Sequence, residues 1–365
     1  IMPLEAWRPM EFRKMRLYPE QMECKKIALE GEAKKVTDWV VSEAPIWSEY
    51  CLYQDSVSHF GIQKKLAGEE LCYIDALHGN RTVGGGSFGS EYGSVTVAIR
   101  DFWEKYPSGL TFKGLDNDMA EATLWFWSPE AKAFDFRHYA TRGYNSVCYE
   151  GYDYKGADPV GIACTNECTI TFSEAMIPTD EEVVEFATLV NDPAIYVANP
   201  EVYHEMKAFG YWSLPSANPS EVEKWLEEQL DSVFEFYKAE IDQRNWYGMF
   251  NYGDVMHTYD SIRHQWKYDV GGYAWDNTEL VPTLWLWLYF MRTGREDVFE
   301  LAEKLSRHAS EVDVYHMGKY KGLGSRHNVR HWGCPCKEAR IAMAGHHRYM
   351  YYLTGDRRLE DIFDE

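Results

Sequence analysis

The stretch Thr278-Glu-Leu-Val-Pro-Thr-Leu-Trp-Leu-Trp-Leu-Tyr-Phe-Met-Arg292, closed by Thr293-Gly294, decides how the second half of this chain folds. It is apolar on nearly every side, and a helix apolar all round has to be buried. The glycine behind it supplies the left-handed residue on which helices stop. The segment after it, Glu296–Glu311, is amphipathic. The pairing recurs. A second helix is expected over about Lys337–Tyr352, stopped at Thr354-Gly355 and followed by another amphipathic start, Arg358–Phe363. Buried helices alternating with amphipathic ones are what two concentric helix rings require, the first kind inside and the second covering it. The pattern is that of an α/α toroid. From Thr179 onward there is room for about three or four hairpins at this period, so the ring is expected to be incomplete.

Moving toward the N-terminus, Asn218 is a candidate helix cap, with Pro219 in the first helical position and Glu221 in the first turn. Val222, Trp225, Leu226, Val233, Phe234, Tyr237 and Ile241 then form one apolar stripe. Ahead of Pro178 the period changes. Ser94-Val-Thr-Val-Ala-Ile99, Ala122-Thr-Leu-Trp-Phe-Trp127 and Cys168-Thr-Ile-Thr-Phe172 are short β-type runs separated by Gly, Pro, Asp and Asn. Such spacing predicts an antiparallel sandwich. The glycine-rich Gly84-Gly-Gly-Ser-Phe-Gly-Ser-Glu-Tyr-Gly93 lacks the Gly-Lys-Ser/Thr of a phosphate loop and reads as a turn between strands. The expected fold is an antiparallel β-sandwich over residues 1–177 followed by the toroid over 178–365.

Composition agrees with a two-domain globular chain: 365 residues, 45% of them hydrophobic. The formal net charge of −21 argues against nucleic acid, whose phosphates need a basic face. No apolar run approaches the ~20 residues that span a bilayer, the longest being Leu284–Met291, so no membrane partner is expected. Aromatic residues reach 16%, and such rings pack cores and also offer flat faces to the C–H sides of sugars. The eight cysteines show no paired Cys-x-x-Cys spacing; Cys334-Pro-Cys336 near His331 offers a metal arrangement, and thiols are the plainer reading. The chain begins at Ile1 and stops within an amphipathic stretch, so it is expected to be a piece of a longer protein, and the compartment, cytoplasmic or secreted, stays open.

In a toroid, inner helices that start at one rim bring the loops preceding them to one cleft. Here those loops run from Gly248 to Asn277 and from His316 to Cys334. Loops this long and this rich in Trp, Tyr, Arg, His and Gly tend to carry function. The second holds Lys319, Lys321, Arg326 and Arg330 with three histidines and no carboxylate, a local positive site suited to an anionic ligand. His327-x3-His331 has the spacing of a zinc pair without an evident third ligand, so no metal or other cofactor is expected, a divalent cation staying open. Asp254, Asp260, Asp269 and Asp276 are candidates to hold the arginines in ion pairs, with Asp254 and Asp276 alternatively a glycosidase acid/base pair. A uronic-acid polymer can be broken by β-elimination, which needs a group to neutralise the carboxylate, a base, and a proton donor to the leaving oxygen. Arg, His and Tyr in one aromatic cleft supply all three.

At these residues the sequence also resembles a known family. Gly253-Asp-Val-Met-His257-Thr-Tyr-Asp260, Arg263-His-Gln-Trp266 through Trp275-Asp-Asn277, Glu311-Val-Asp-Val-Tyr-His316, Gly322-Leu-Gly-Ser-Arg-His327 and His331-Trp-Gly333 are similar to the toroid of exo-acting rhamnogalacturonan lyases and their uncharacterised bacterial relatives. Phe60-Gly-Ile-Gln-Lys64-Lys65, Ile74-Asp-Ala-Leu-His-Gly79-Asn-Arg81, Arg100-Asp-Phe-Trp103 and Asp135-Phe-Arg137-His-Tyr139 resemble its central β-sandwich. The resemblance implies a lyase of the rhamnose–galacturonate backbone of pectin that eliminates at C4 of galacturonate and leaves an unsaturated uronide. It also implies a preceding β domain, most of which is missing here together with the end of the toroid. Gln63-Lys64-Lys65 stands where the family usually has Arg-Lys-Arg.

The clustering of the two loops makes Arg326 and Arg330, or Arg263, the candidates for neutralising the carboxylate, and His327 or Tyr252 for the base. Lys64, from the sandwich, is an alternative base, since a Lys beside other cations can lose its proton more readily. Trp266, Tyr273, Trp275 and Trp332 are the expected sugar platforms, with His257, Asp276, Asn277, His316, His331 and Arg81 completing the binding set. The expected partner is an anionic pectic polysaccharide or oligosaccharide. The competing readings are a toroid glycoside hydrolase acting on unsaturated uronides and a non-catalytic carbohydrate-binding protein.

Overall fold

The computed structural model describes residues 14–17, 26–31, 34–39, 47–69, 72–90, 93–115, 120–132, 158–174, 176, 178–266, 275–276, 278, 280–325, 331–332 and 336–364, the first three of these runs by backbone alone. The chain divides into two compact units, residues 10–133 with 165–194, and the remainder.

The first unit is built of two antiparallel sheets. One has the order β1 (Lys14–Leu17), β10 (Glu121–Trp125), β9 (Ser108–Lys113), β4 (Trp47–Ser56), β5 (His59–Leu66), β6 (Tyr73–Gly79). The other runs β11 (Cys168–Glu174), β8 (Gly93–Ile99), β7 (Gly85–Ser90), β2 (Lys26–Gly31), β3 (Lys34–Trp39). Register places Ile62, Leu52, Leu110 and Leu124 in one row across four strands. All four are fully buried, each contributing about 1.5–3 kcal/mol by leaving water. Phe88 of β7 and Phe112 of β9 meet between the sheets, ring centroids 5.2 Å apart.

Of the glycine-rich stretch expected as a turn, Gly85–Ser90 is the strand β7, hydrogen-bonded to β8 on one side and β2 on the other. Its glycines have a packing reason. A Cβ on Gly85 would lie 2.4 Å from the Cβ of Ala187, which sits on helix α1 (Asp180–Asn191). The bare backbone lets α1 lie directly on β7, burying Val183 and Ala187. Thr179 starts α1 with a capping box to Glu182. Asn191 ends it, accepting from the Asp101 amide at 2.8 Å and donating to the Val83 carbonyl at 2.8 Å.

The second unit is helical: α2 (Pro200–Met206), α3 (Glu221–Arg244), α4 (Pro282–Thr293), α5 (Glu296–Glu311), α6 (Arg348–Thr354) and α7 (Arg358–Asp364). The cap of α3 is Ser220 instead of Asn218, because Ser220 and Glu223 satisfy each other's backbone amides reciprocally. Its expected apolar stripe is mostly exposed: Phe234 is in the core and Tyr237 and Ile241 are partly covered, while Val222, Trp225, Leu226 and Val233 are exposed. Helix α4 buries Leu286, Trp287, Tyr289, Phe290 and Met291 and stops at the left-handed Gly294, φ +67°. Helix α5 covers it, with Trp287 Nε1 donating to Ser306 Oγ at 2.9 Å.

The long helix expected over Lys337–Tyr352 shrinks to α6. Lys337–Glu338 forms a short strand against Gly324–Ser325, and two tight 3-10 turns, Ala339–Ile341 and Ala344–His347, follow. Ile341 fills the space that a Cβ on Gly324 would take, 2.4 Å away, and Lys337 Nζ donates to Ser325 Oγ and to the Trp332 carbonyl at 3.0 Å each. These contacts outweigh the helix preference of an Ala- and Met-rich stretch. Among the described residues, no helix is long and apolar enough to cross a membrane.

Candidate functional site

Within the helical unit, the chain leaves α3 and turns at Gly248, whose carbonyl accepts from the amides of Asn251 and Tyr252 at 3.0 and 2.8 Å. Gly253 follows with φ +83°, and a Cβ there would lie 2.1 Å from the carbonyl oxygen of Lys304 on α5. Only glycine permits that approach. It presses the loop onto α5 and sets Asp254 beside His308, one turn further along the helix. Asp254 Oδ1 accepts from the Val255 amide at 2.7 Å, and Oδ2 lies 3.2 Å from His308 Nε2.

The second loop arrives from the other side. After α5 the chain folds back as a narrow hairpin, with Tyr315 donating to the Leu323 carbonyl and Ser325 to the Asp313 carbonyl, both at 2.9 Å. Asp313 Oδ1 lies 3.4 Å from His308 Nε2. His331 closes the group: Nδ1 is 3.4 Å from Asp254 Oδ2, and Nε2 pairs with Asn251 Oδ1 at 2.8 Å. Trp332 Nε1 donates to the Val312 carbonyl at 3.0 Å, and its ring meets Phe250 edge-on at 5.2 Å. The Trp275 ring lies 5.0 Å from that of His331. The two loops singled out from sequence therefore meet, joined by Asn251–His331, Asp254–His331 and Phe250–Trp332.

Asp254, His308, Asp313 and His331 are at most 2% exposed. Burial drives the Asp254 carboxyl upward and the Asp313 carboxyl up to about 6, against the pull of His308. Burial also opposes a charge on His308, but the attraction of Asp254 and Asp313 wins and holds it up to about 10. His331 is pushed well below its ordinary value by burial and by the neighbouring His308, so it stays neutral. Asp254, His308 and His331 each offer one donor atom, all within 4.8 Å of one another, a spacing that suits a metal ion.

Arg326, His327, Arg330, Tyr273 and Asn277 lie outside the described residues. Tyr252 is buried next to Asp254, with Lys304 Nζ 5.7 Å from its ring centroid. Arg263 is exposed in the hairpin Tyr259–Trp266, its amide donating to Asp260 Oδ1 at 3.0 Å. Three of the expected sugar platforms are core residues. Trp275 and Trp332 are sealed at 1% exposure, and Trp266 at 2% donates to Glu240 Oε2 at 2.6 Å among Trp246, Tyr259 and Tyr237. Their faces are covered by protein, which removes them as open stacking surfaces. Asp276 is buried, its amide donating to the Val255 carbonyl at 2.9 Å. His257 is half-buried and its Nδ1 pairs with Thr258 Oγ1; His316 is half-buried and its amide donates to the Gly161 carbonyl at 2.6 Å. Lys64 and Arg81 belong to the sandwich unit. Lys64 Nζ stands 4.0 Å over the Trp47 ring, and the Arg81 guanidinium 4.0 Å over Trp103 with Nε donating to the Val57 carbonyl at 3.2 Å.

Sequence reading missed Asn251, His308 and Asp313. The signal for His308 was its place on the buried face of α5 with Val298, Ala302 and Leu305, where an ionisable ring has to find a partner.

Residues 193–365 match the family model described as the PcRGLX-like protein C-terminal alpha/alpha toroid domain, and residues 3–188 that of the PcRGLX-like protein central beta sandwich domain. The uncharacterized protein YetA of Bacillus subtilis (strain 168) is 47% identical over 352 residues, 96% of this chain and 40% of that protein. The chain thus spans about 40% of the length of the curated relative it matches. With an antiparallel β-sandwich followed by an α/α toroid, and with both domain models matched in order, the chain belongs to the family of PcRGLX-like proteins.

Proposed function

We propose that this protein is a polysaccharide lyase that cleaves the rhamnose–galacturonate backbone of rhamnogalacturonan by β-elimination. The observation that carries the reading is the junction of the two loops at Asn251, Asp254 and His331. The segment bearing Arg326, His327 and Arg330 starts at Ser325 and ends at His331, and both flanking residues are buried in that junction. One or two of these arginines, or Arg263, would neutralise the uronate carboxylate, which acidifies the C–H beside it. His327 or Tyr252 would take that proton. The electron pair forms the new double bond, the C4–O bond breaks, and the leaving oxygen takes up a proton. The family match supports the same reading.

A hydrolytic reading built on Asp254 and Asp276 has less behind it. Asp254 is sealed from solvent and turned toward two imidazoles, leaving no room for a water to be activated against a sugar.

The test is to incubate the protein with rhamnogalacturonan and follow ultraviolet absorbance. New absorbance from an unsaturated uronide is the expected result. Absorbance lost from an unsaturated oligosaccharide would mean hydrolysis, and no change with retained binding would mean recognition alone; either outcome overturns the proposal. Arg326→Ala, His327→Ala and Arg330→Ala, made singly, are expected to lower turnover on the order of 100-fold or more in at least one case. Near-normal turnover in all three would remove this loop from the chemistry.

A further inference from the structure

We propose that Asp254, His308 and His331 hold a divalent transition-metal ion of the zinc class that staples the first loop, the end of α5 and the second loop together. Donors about 2.0–2.2 Å from a tetrahedral ion stand roughly 3.3–3.5 Å from one another. Here Asp254 Oδ2 is 3.2 Å from His308 Nε2 and 3.4 Å from His331 Nδ1, and Asp313 Oδ1 is 3.4 Å from His308 Nε2.

Direction supports distance. His308 Nε2 is close enough to both carboxylates to donate, yet neither oxygen lies where its N–H would need it, and Asp254 Oδ2 likewise has no hydrogen bond among the described residues. His331 Nε2 is the nitrogen facing the amide oxygen of Asn251, so it carries the proton. Its Nδ1 then presents a lone pair toward Asp254 Oδ2, 3.4 Å away. A metal-bound imidazole held through its other nitrogen by an amide or carbonyl oxygen is the usual outer-shell arrangement.

Charge points the same way. No described Lys or Arg forms an ion pair with Asp254 or Asp313, and with His308 and His331 deprotonated as ligands the two buried carboxylates balance a doubly charged cation. Two nitrogens with carboxylate oxygens favour zinc, cobalt or nickel over calcium and magnesium, which take oxygen sets. The three donors are sealed from solvent, which suits a structural ion. The inference stands apart from the reaction proposed above, because metal content is read without substrate.

The test uses the whole chain, purified without chelator from zinc-supplemented medium. About one zinc per chain is expected by elemental mass spectrometry, falling to background in His308→Ala and His331→Ala while far-ultraviolet circular dichroism stays that of the parent. Should those variants fail to fold, the cobalt-loaded parent decides. Visible d–d bands without a thiolate charge-transfer band are expected; a thiolate band, or no bands, overturns the assignment. Less than about a tenth of an equivalent in the parent after exposure to zinc, cobalt and nickel overturns it too, as does unchanged stoichiometry in both folded variants. Chelation is expected to lower the melting temperature and added zinc to restore it; a melting temperature that does not move overturns the stapling role.

Discussion

Two imidazoles of the helical unit are equally deep and oppositely tuned. His308 is 2% exposed and His347 1%. Depth alone takes charge off a histidine, and His347 shows it: burial, then the nearby His346 and His316, push it down to about 4. His308 feels the same burial, but Asp254 and Asp313 overturn it and hold the ring up to about 10. The surroundings of His308 are therefore built to receive positive charge, and those of His347 to refuse it. What separates a polar centre from ordinary core in this protein is the choice of partner, not the distance from water.

The strongest way to break this contrast is Asp254→Ala, which removes the carboxylate shared by His308 and His331. Taking one member from a buried charged group costs about 3–5 kcal/mol, read as a fall in the urea midpoint of the helical unit. Adding His308→Leu should recover part of the loss, since the group left behind is then apolar. A loss under about 1 kcal/mol would mean that the carboxylate and the ring are not coupled.

Acid sharpens the other side. His347 has a folded value below its ordinary 6.5, so its contribution is complete above pH 6.5 and disappears as pH falls through about 4. The full difference is worth about 3 kcal/mol. Unfolding midpoints measured from pH 7 to pH 4 should fall, and the slope should flatten in His347→Leu. An unchanged slope would show that this ring is not what acid attacks.

The smallest effect concerns how the contrast is assembled. Gly253→Ala puts a side chain at φ +83° and against the Lys304 carbonyl, which should cost about 1–3 kcal/mol and pull Asp254 off α5. Thermal unfolding would check the cost. A neutral outcome would mean that the loop seats itself by other contacts.

How much of this was legible in the sequence depended on where the deciding contacts lay. Helix α5 was legible end to end because one apolar face, buried on α4, fixes a period of 3.6 over Glu296–Glu311. The meeting of the loops was legible as well, because they flank helices of one unit. Lys337–Tyr352 was misread because Ile341 and Lys337 answer to Gly324, Ser325 and Trp332, none of which belongs to the local pattern. Gly85–Ser90 was misread because the helix that needs its missing side chains comes much later in the chain. The neighbours of His331 were not legible for the same reason: spacing drew attention to His327, which lies outside the described residues, whereas Asp254 comes from one loop and His308 from a helix read as cover. Trp266, Trp275 and Trp332 could not be divided into core and platform by residue type, since an aromatic ring serves either role.

The seating of α1 on β7 bears on where this molecule can be divided. A cut placed at residue 178, where strands give way to helices, would carry off the lid that Val183 and Ala187 form over Gly85 and would strand the Asp101 amide and the Val83 carbonyl without Asn191. Anyone producing the sandwich by itself should carry the chain past Asn191, because its last piece of wall is a helix.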